Sequence, residues 1–165
     1  MQNKSIDERL VEQNKILTAV NSLSIELASI PFNEDIYKTI TRRLMDITGS
    51  IAVTLGVYDP ETGEIIIKHL ETDSNLLNQA KKILGYSPAE IRAKVTSEIY
   101  DTIITERVSY RETLREVSFN EIPEGVSKVL MTVLNIQTFA GMAYVLEDKL
   151  FGTSLLAFKK GATLP

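Results

Sequence analysis

The only histidine of the chain, His69, is the first candidate for functional chemistry. It alternates with Ile65 and Ile67 along an apolar segment, so its imidazole could face a pocket and bind a haem iron or an anion. The alternative is a partly exposed histidine near a strand end, beside Lys68 and Glu71. A Ser-His-Asp arrangement would need this same histidine, and no serine lies in a G-x-S-x-G turn. We therefore predict no catalytic residue.

Cofactor and metal signatures are missing from the sequence. The chain has no cysteine, which excludes disulfides, thiolate metal ligands, haem–thiolate ligation and cysteine nucleophiles. Its eight glycines never lie closer than seven positions apart, which excludes a P-loop and a dinucleotide-binding loop. The acidic residues around one hairpin favour a solvated rim over a cation site. We predict no metal site, and the cofactor stays unknown.

Strand alternation predicts a ligand pocket above a sheet. In the segment 51–58, large apolar residues share one face, and smaller or polar residues share the other. Small and hydroxyl side chains leave room for a ligand, although aromatic residues could equally fill that face as core. An arginine and aromatic residues in the middle of the chain could hold a planar or anionic molecule, or simply pack. The candidate pocket residues are Thr54, Tyr58, His69, Tyr110, Arg111, Phe119, Met142 and Ser154.

The elements that would position these residues follow from hydrophobic periodicity. Asn33 is predicted to cap a helix that Gly49 ends. A hairpin of strands 51–58 and 64–71 follows, then a helix through Leu84. The remaining predicted elements are a helix over 97–106, a strand over 107–113, a helix with Pro123 at its first position, and strands over 138–147 and 150–160. Residues 85–96 stay ambiguous. This order predicts an α+β fold with a central, mainly antiparallel sheet.

The first thirty residues are predicted to form one long helix. Apolar residues recur at alternating steps of three and four, which is a heptad pattern with two polar interruptions. Such a helix could pack on its own domain or pair with a second copy. The residues predicted for a dimer helix are Ile16, Val20, Leu23 and Leu27.

Two families share patterns with this chain. The stretch "ILGYSPAEIRAKV" (83–95) resembles a local segment of PAS domains, but the two helices predicted within 97–136 do not fit that family, so we interpret this likeness as coincidental. The whole element order resembles the GAF domain, ending in "IPEGVSKVLMTVLNI" and "FAGMAYVLEDKLFGTSLLAF" with Gly152 at the family's glycine. The resemblance implies a PAS/GAF-type fold, with N-terminal helices on one face of the sheet and a helical insert over a pocket on the other.

The function that this resemblance implies is a non-catalytic sensory module of a larger signalling protein, such as a sensor histidine kinase. We expect a signalling helix over 1–30 and a GAF domain over 31–165 that lacks its C-terminal output helix. The expected partners are an unidentified small molecule and a second copy. The net charge of −4 without a basic cluster argues against nucleic acid, and no apolar run would span a membrane. With no signal peptide either, we expect a cytoplasmic location. The rivals are a ligand-free interaction platform and a PAS-type cofactor binder.

Overall fold

The computed structural model describes residues 35–162 and, before them, residues 10, 11, 13–15, 17, 18, 21, 22, 24 and 25. Those earlier positions are helical. Their apolar side chains are exposed, as Leu10, Val11, Leu17 and Ile25 show. The residues predicted for the dimer helix, Ile16, Val20, Leu23 and Leu27, lie outside the described residues.

Helix α1 (Ile36–Thr48) begins two residues later than the sequence indicated. Its N-cap is Asp35, whose carboxylate Oδ1 accepts hydrogen bonds from the N–H groups of Tyr37 and Lys38 at 3.0 and 3.3 Å. The prediction of Asn33 as the cap is wrong, because Asp35 satisfies the free N–H groups of the first turn. The predicted end is confirmed: Gly49 takes a left-handed conformation, with a φ of 66°.

Six strands form one antiparallel sheet in the order β3-β2-β1-β6-β5-β4. This confirms the predicted α+β class and the mainly antiparallel sheet. The strands are β1 (Ala52–Asp59), β2 (Glu64–Thr72), β3 (Arg92–Lys94), β4 (Val108–Arg111), β5 (Ile136–Leu146) and β6 (Lys149–Lys159). Strand β3 lies in the segment that the sequence left ambiguous, and it forms by pairing with the start of β2.

Between β2 and β5 the chain is mostly helical. The helices are α2 (Ser74–Leu84), α3 (Ser97–Glu106), α4 (Leu114–Val117) and α5 (Glu124–Val133), with a 3-10 turn at Pro88–Glu90. Pro123 is the N-cap of α5 rather than its first residue. The PAS-like stretch 83–95 becomes the end of α2, a left-handed Gly85, the 3-10 turn and β3.

The two faces of the sheet carry different layers. Helix α1 packs on β1 and β2 on one face, which we call the α1 face. The buried core there consists of Val53, Ala140, Leu156 and Phe158, with Leu44, Met45 and Met142 packed against it. The 3-10 turn and helices α3, α4 and α5 contact the sheet, and α2 contacts α5. For the described residues this confirms the predicted arrangement, with a helix on one face of the sheet and a helical insert over the other.

Candidate functional site

A cavity of about 580 Å³ lies between the sheet and the helical insert. Its floor is the second face of the sheet, which we call the cavity face: Ala52, Thr54, Ile65, Ile67, Phe139, Gly141, Ala143, Thr153, Leu155 and Ala157. Its cover comes from the apolar sides of the helices: Leu76, Leu77, Ala80, Leu84, Ile99, Ile103, Leu130 and Leu134. Most of the lining is apolar, and the volume lies within the range of small-molecule sites.

Three hydroxyl groups lie on the cavity face of the sheet. Thr54 is on β1, Thr153 on β6 and Ser109 on β4, and all three side chains are half-buried. None of them makes a side-chain hydrogen bond to any part of the chain that the structure describes. In small-molecule sites, a few polar groups within an apolar cavity orient the ligand.

Charged residues meet the cavity where α3 ends and β4 begins. Arg111 Nη2 donates to Glu106 Oε2 at 2.8 Å, and Arg111 Nη1 donates to the Tyr110 carbonyl at 3.0 Å. The Glu116 carboxylate is occupied elsewhere, because it accepts hydrogen bonds from the hydroxyl and N–H groups of Thr113. The hydrogen bond from the Thr113 hydroxyl lowers the pKa of Glu116 more than any other contact does. Glu116 is therefore fixed as part of a capping box and is not free to act on a ligand.

Five of the eight predicted site residues border the cavity, two of them from the cavity face of the sheet and one from the segment between α4 and α5. Thr54, Arg111 and Phe119 line it. Met142 and Ser154 also border it, but the strand register places them on the α1 face. Ser154 pairs with Leu55 of β1 and with Met142, and Met142 also pairs with the edge strand β4. The expectation that Ser154 and Thr54 share one face is wrong, because Thr54 pairs with Leu155, the residue after Ser154.

The side chain of Ser154 has its own partner on the α1 face. Its hydroxyl lies 2.7 Å from the Tyr144 hydroxyl, and Ser154 is fully buried. Burial raises the pKa of the Tyr144 phenol. Met142 packs against the core cluster on the same side. Both residues therefore belong to the core layer beneath α1.

His69 lies on the α1 face, away from the cavity. A bulge in the ladder is the cause: Gly56 pairs with Ile67, but its neighbour Leu55 pairs with His69. The extra residue reverses the alternation, so Ile67 lies on the cavity face and His69 does not. The imidazole Nε2 is 3.2 Å from Glu71 Oε2, and Nδ1 is 3.9 Å from Asp35 Oδ2. The pocket-facing interpretation of His69 is therefore wrong, and the strand-end alternative describes it better.

The two predicted tyrosines are also outside the main cavity. Tyr58 lies against Tyr100, with ring centroids 5.3 Å apart, beside a second cavity of about 240 Å³. The Tyr100 hydroxyl accepts a hydrogen bond from the Leu150 N–H at 3.0 Å. Tyr110 pairs with Ala140, which places it on the α1 face of β4.

Sequence reasoning missed two of the polar groups on the cavity face. Ser109 precedes Arg111 by two residues, so period-two alternation on β4 places both on one face. That signal was available once 107–113 had been predicted as a strand. Alternation along β6 separates Thr153 from Ser154, but which of the two faces the cavity depends on the pairing with β1.

Metal-binding and membrane-spanning features are the last to consider. In the part of the chain that the structure describes, no group of three or more His, Asp or Glu side chains could hold a metal ion. Among the same residues, no helix has both the length and the apolar character that crossing a bilayer requires.

Comparisons with known proteins identify the fold. No protein-family model matches the chain, and no curated protein sequence matches it. The chromophore-binding domain of a bacteriophytochrome from R. palustris is similar in structure, with a TM-score of 0.63 at 9% identity. The match covers 99% of this chain and 56% of that one, so this chain spans about half of the phytochrome fragment.

Two further solved structures are GAF domains of phosphoenolpyruvate-protein phosphotransferases. The domain from Coxiella burnetii has a TM-score of 0.59 at 15% identity, and the match covers 86% of this chain and 76% of that one. The domain from Acinetobacter has a TM-score of 0.61 at 11% identity, with 92% and 82% covered. Together with the sheet order and the helical cover, these likenesses confirm the prediction from the sequence: the chain has the GAF domain fold.

Proposed function

We propose that this domain is a non-catalytic sensory module that binds a small organic molecule in the cavity above the sheet. The observation that carries the proposal is the cavity itself. Protein interiors are packed as densely as organic crystals and hold few voids larger than a water molecule. A volume of about 580 Å³ is far beyond such a packing defect. A ligand that fills it would bury the exposed apolar lining, which is favourable in water.

The chemistry of the lining supports binding over catalysis. Hydroxyl nucleophiles need an adjacent base, and the single histidine lies on the other face of the sheet, next to Glu71. The hydroxyls of Thr54, Thr153 and Ser109 therefore serve as hydrogen-bonding groups for a ligand. A thioether link to a chromophore is excluded for these 165 residues, because they contain no cysteine.

The rival functions make different demands on this cavity. A ligand-free interaction platform would need the cavity filled by core side chains, and the open volume argues against that. A PAS-type cofactor binder is disfavoured by the similarity to solved GAF domains. The role in a signalling protein such as a histidine kinase rests on the GAF resemblance, and the cytoplasmic location stays a prediction from the sequence.

The signal would pass by ordinary linkage. A ligand that favours one arrangement of the helical cover shifts the population towards it. The heptad pattern supports a homodimer in which the first thirty residues carry this shift to the second copy. Alanine at both Leu23 and Leu27 should then convert the dimer to a monomer in light scattering. An unchanged dimer would remove this part of the proposal.

Native mass spectrometry of the freshly purified domain tests the main proposal. We expect extra mass that is lost on denaturation, or, after purification strips the ligand, binding from a small-molecule library. Thr54→Phe places a ring on the cavity floor and should abolish binding. The matched control, Thr105→Phe, changes an exposed position of α3 outside the cavity and should bind as the parent does.

Circular dichroism must show that both variants fold. Binding that survives Thr54→Phe in the folded protein would contradict the location of the site. No retained mass and no binder in the library would overturn the function and favour the interaction platform.

A further inference from the structure

The cavity has an apolar end and a polar end. Ile65 and Ile67 of β2 form the apolar end, and Leu77 and Ala80 of α2 belong to the apolar cover. The polar end lies at β4, which is four strands away from β2 in the sheet. At about 4.8 Å between neighbouring strands, the two ends are roughly 19 Å apart. This geometry fits an elongated, amphiphilic molecule better than a compact one.

The guanidinium group of Arg111 is available at the polar end. It has five N–H donors, of which one serves Glu106 and one serves the Tyr110 carbonyl. Within residues 35–162 the remaining three meet no acceptor. The side chain is 37% exposed, so it is reachable by a ligand headgroup that enters at the cavity rim.

Positive and negative side chains meet at this end of the cavity. Arg107 and Arg111 line the cavity there, and Glu106 is the nearest carboxylate. Glu116 is fixed in its capping box. Glu98 also lines the cavity, but it lies in the first turn of α3, about 12 Å along the helix from Glu106. Glu116 keeps its negative charge in that capping box and interacts with Arg111, so two carboxylates face the two arginines and the free donors of Arg111, rather than a net positive charge, are what an anion would meet.

The kind of anion follows from the geometry of the cation. The planar guanidinium of Arg111 already binds one carboxylate, that of Glu106. It can bind a second carboxylate through two parallel hydrogen bonds. We infer that the cavity takes an amphiphilic carboxylic acid, with its carboxylate at Arg111 and its apolar body along β1, β2 and α2. The hydroxyl of Ser109, two residues before Arg111 on the same face, supplies a further donor. This inference rests on the proposed function and names the ligand class of that site.

Decanoic acid and decan-1-ol are matched probes, because they share one apolar chain and differ in charge. Isothermal titration calorimetry at neutral pH should show decanoate binding about tenfold more tightly than the alcohol, since charge-assisted hydrogen bonds at a partly exposed site give a moderate gain. Arg111→Gln should remove this difference by weakening decanoate alone. Thr54→Phe should abolish the binding of both probes.

A second variant has the opposite expected effect, so the test does not depend on Arg111→Gln folding. Glu106→Gln removes the carboxylate that competes for Arg111, and it should tighten decanoate binding severalfold without changing the alcohol. Equal affinity for the two probes in the parent protein, or no response to Glu106→Gln, would overturn the carboxylate assignment. If neither probe binds, but another molecule binds and Thr54→Phe abolishes that binding, the ligand class is overturned and the proposed function stands. No cavity ligand of any kind overturns both.

Discussion

The close approach of β1 and β6 at Gly152 gives the sharpest test of the sheet that forms the cavity floor. Gly152 is buried and pairs with Val57. A Cβ atom built on it would lie 2.2 Å from the Gly56 carbonyl oxygen and 3.2 Å from the Val57 Cα. Both contacts are with backbone, so no side chain can rotate away. Gly152→Ala must therefore move one strand relative to the other.

The size of this effect can be worked out from the distances. Carbon–oxygen contacts in sheets lie at about 3.3 Å or more, so the strands must separate locally by roughly 1 Å. Overpacking of a rigid interior typically costs 1–3 kcal/mol, and a displacement that also stretches ladder hydrogen bonds falls at the upper end. We expect Gly152→Ala to lower the free energy of unfolding by about 3 kcal/mol. For a domain of this size that corresponds to a fall in Tm of roughly 6–12 °C.

Gly125→Ala is the matched control, because the same substitution should act in the opposite direction. Gly125 lies in α5, and its added Cβ would meet no atom within 4 Å. Alanine is the better helix former, so the free energy of unfolding should rise by about 0.5 kcal/mol. Urea unfolding followed by far-UV circular dichroism measures both variants. A Gly152→Ala protein within about 0.5 kcal/mol of the parent would refute the close approach of these strands.

Three further predictions concern the turns and caps. Glu147 and Asp148 both have positive φ values, 50° and 58°, in the β5–β6 turn; replacing them by Asn and Gly should raise the free energy of unfolding by about 1 kcal/mol in urea titrations. Asp35→Ala removes the N-cap of α1 and should lower that free energy by about 1 kcal/mol in the same assay. The pKa of Glu116 is lowered by Thr113, so the stability it contributes is present above its ordinary value of 4.5 and is lost as the pH falls through the lowered pKa. The stability difference between the parent and Thr113→Ala should therefore shrink between neutral pH and a pH well below 4.5, and a constant difference would contradict this link.

The elements with strong local signals could be predicted from the sequence. Helix α3 occupies the predicted residues 97–106, because its cap and its apolar period are both encoded locally. Strand β3 and helix α4 could not be predicted. Each is four residues or fewer, and β3 exists only because β2 supplies hydrogen-bonding partners. Short elements of this kind depend on tertiary contacts that no local pattern contains.

The site was harder to predict than the fold, because alternation fixes the faces within one strand but not between strands. The pattern of β1 correctly separated Thr54 from Val53. The face of Ser154 depends on which residue of β6 pairs with Thr54, and that pairing is a tertiary fact. The predicted face of His69 was wrong for another reason: the bulge beside Leu55 adds one residue to β2 and reverses its alternation. No single-strand pattern could have shown either effect.

The polar end of the cavity depends on a single unusual backbone position. Arg107, the C-cap of α3, has a φ of 56°, a positive value that costs a non-glycine residue about 1 kcal/mol or more. Its carbonyl accepts a hydrogen bond from the Ala143 N–H at 2.7 Å, which fixes this turn to the sheet. The sharp turn brings Glu106, the last residue of α3, beside Arg111, the last residue of β4. The charged pair that we assign to ligand binding is therefore positioned by strained backbone held against β5, and a ligand that draws Arg111 from Glu106 would act directly on the end of α3.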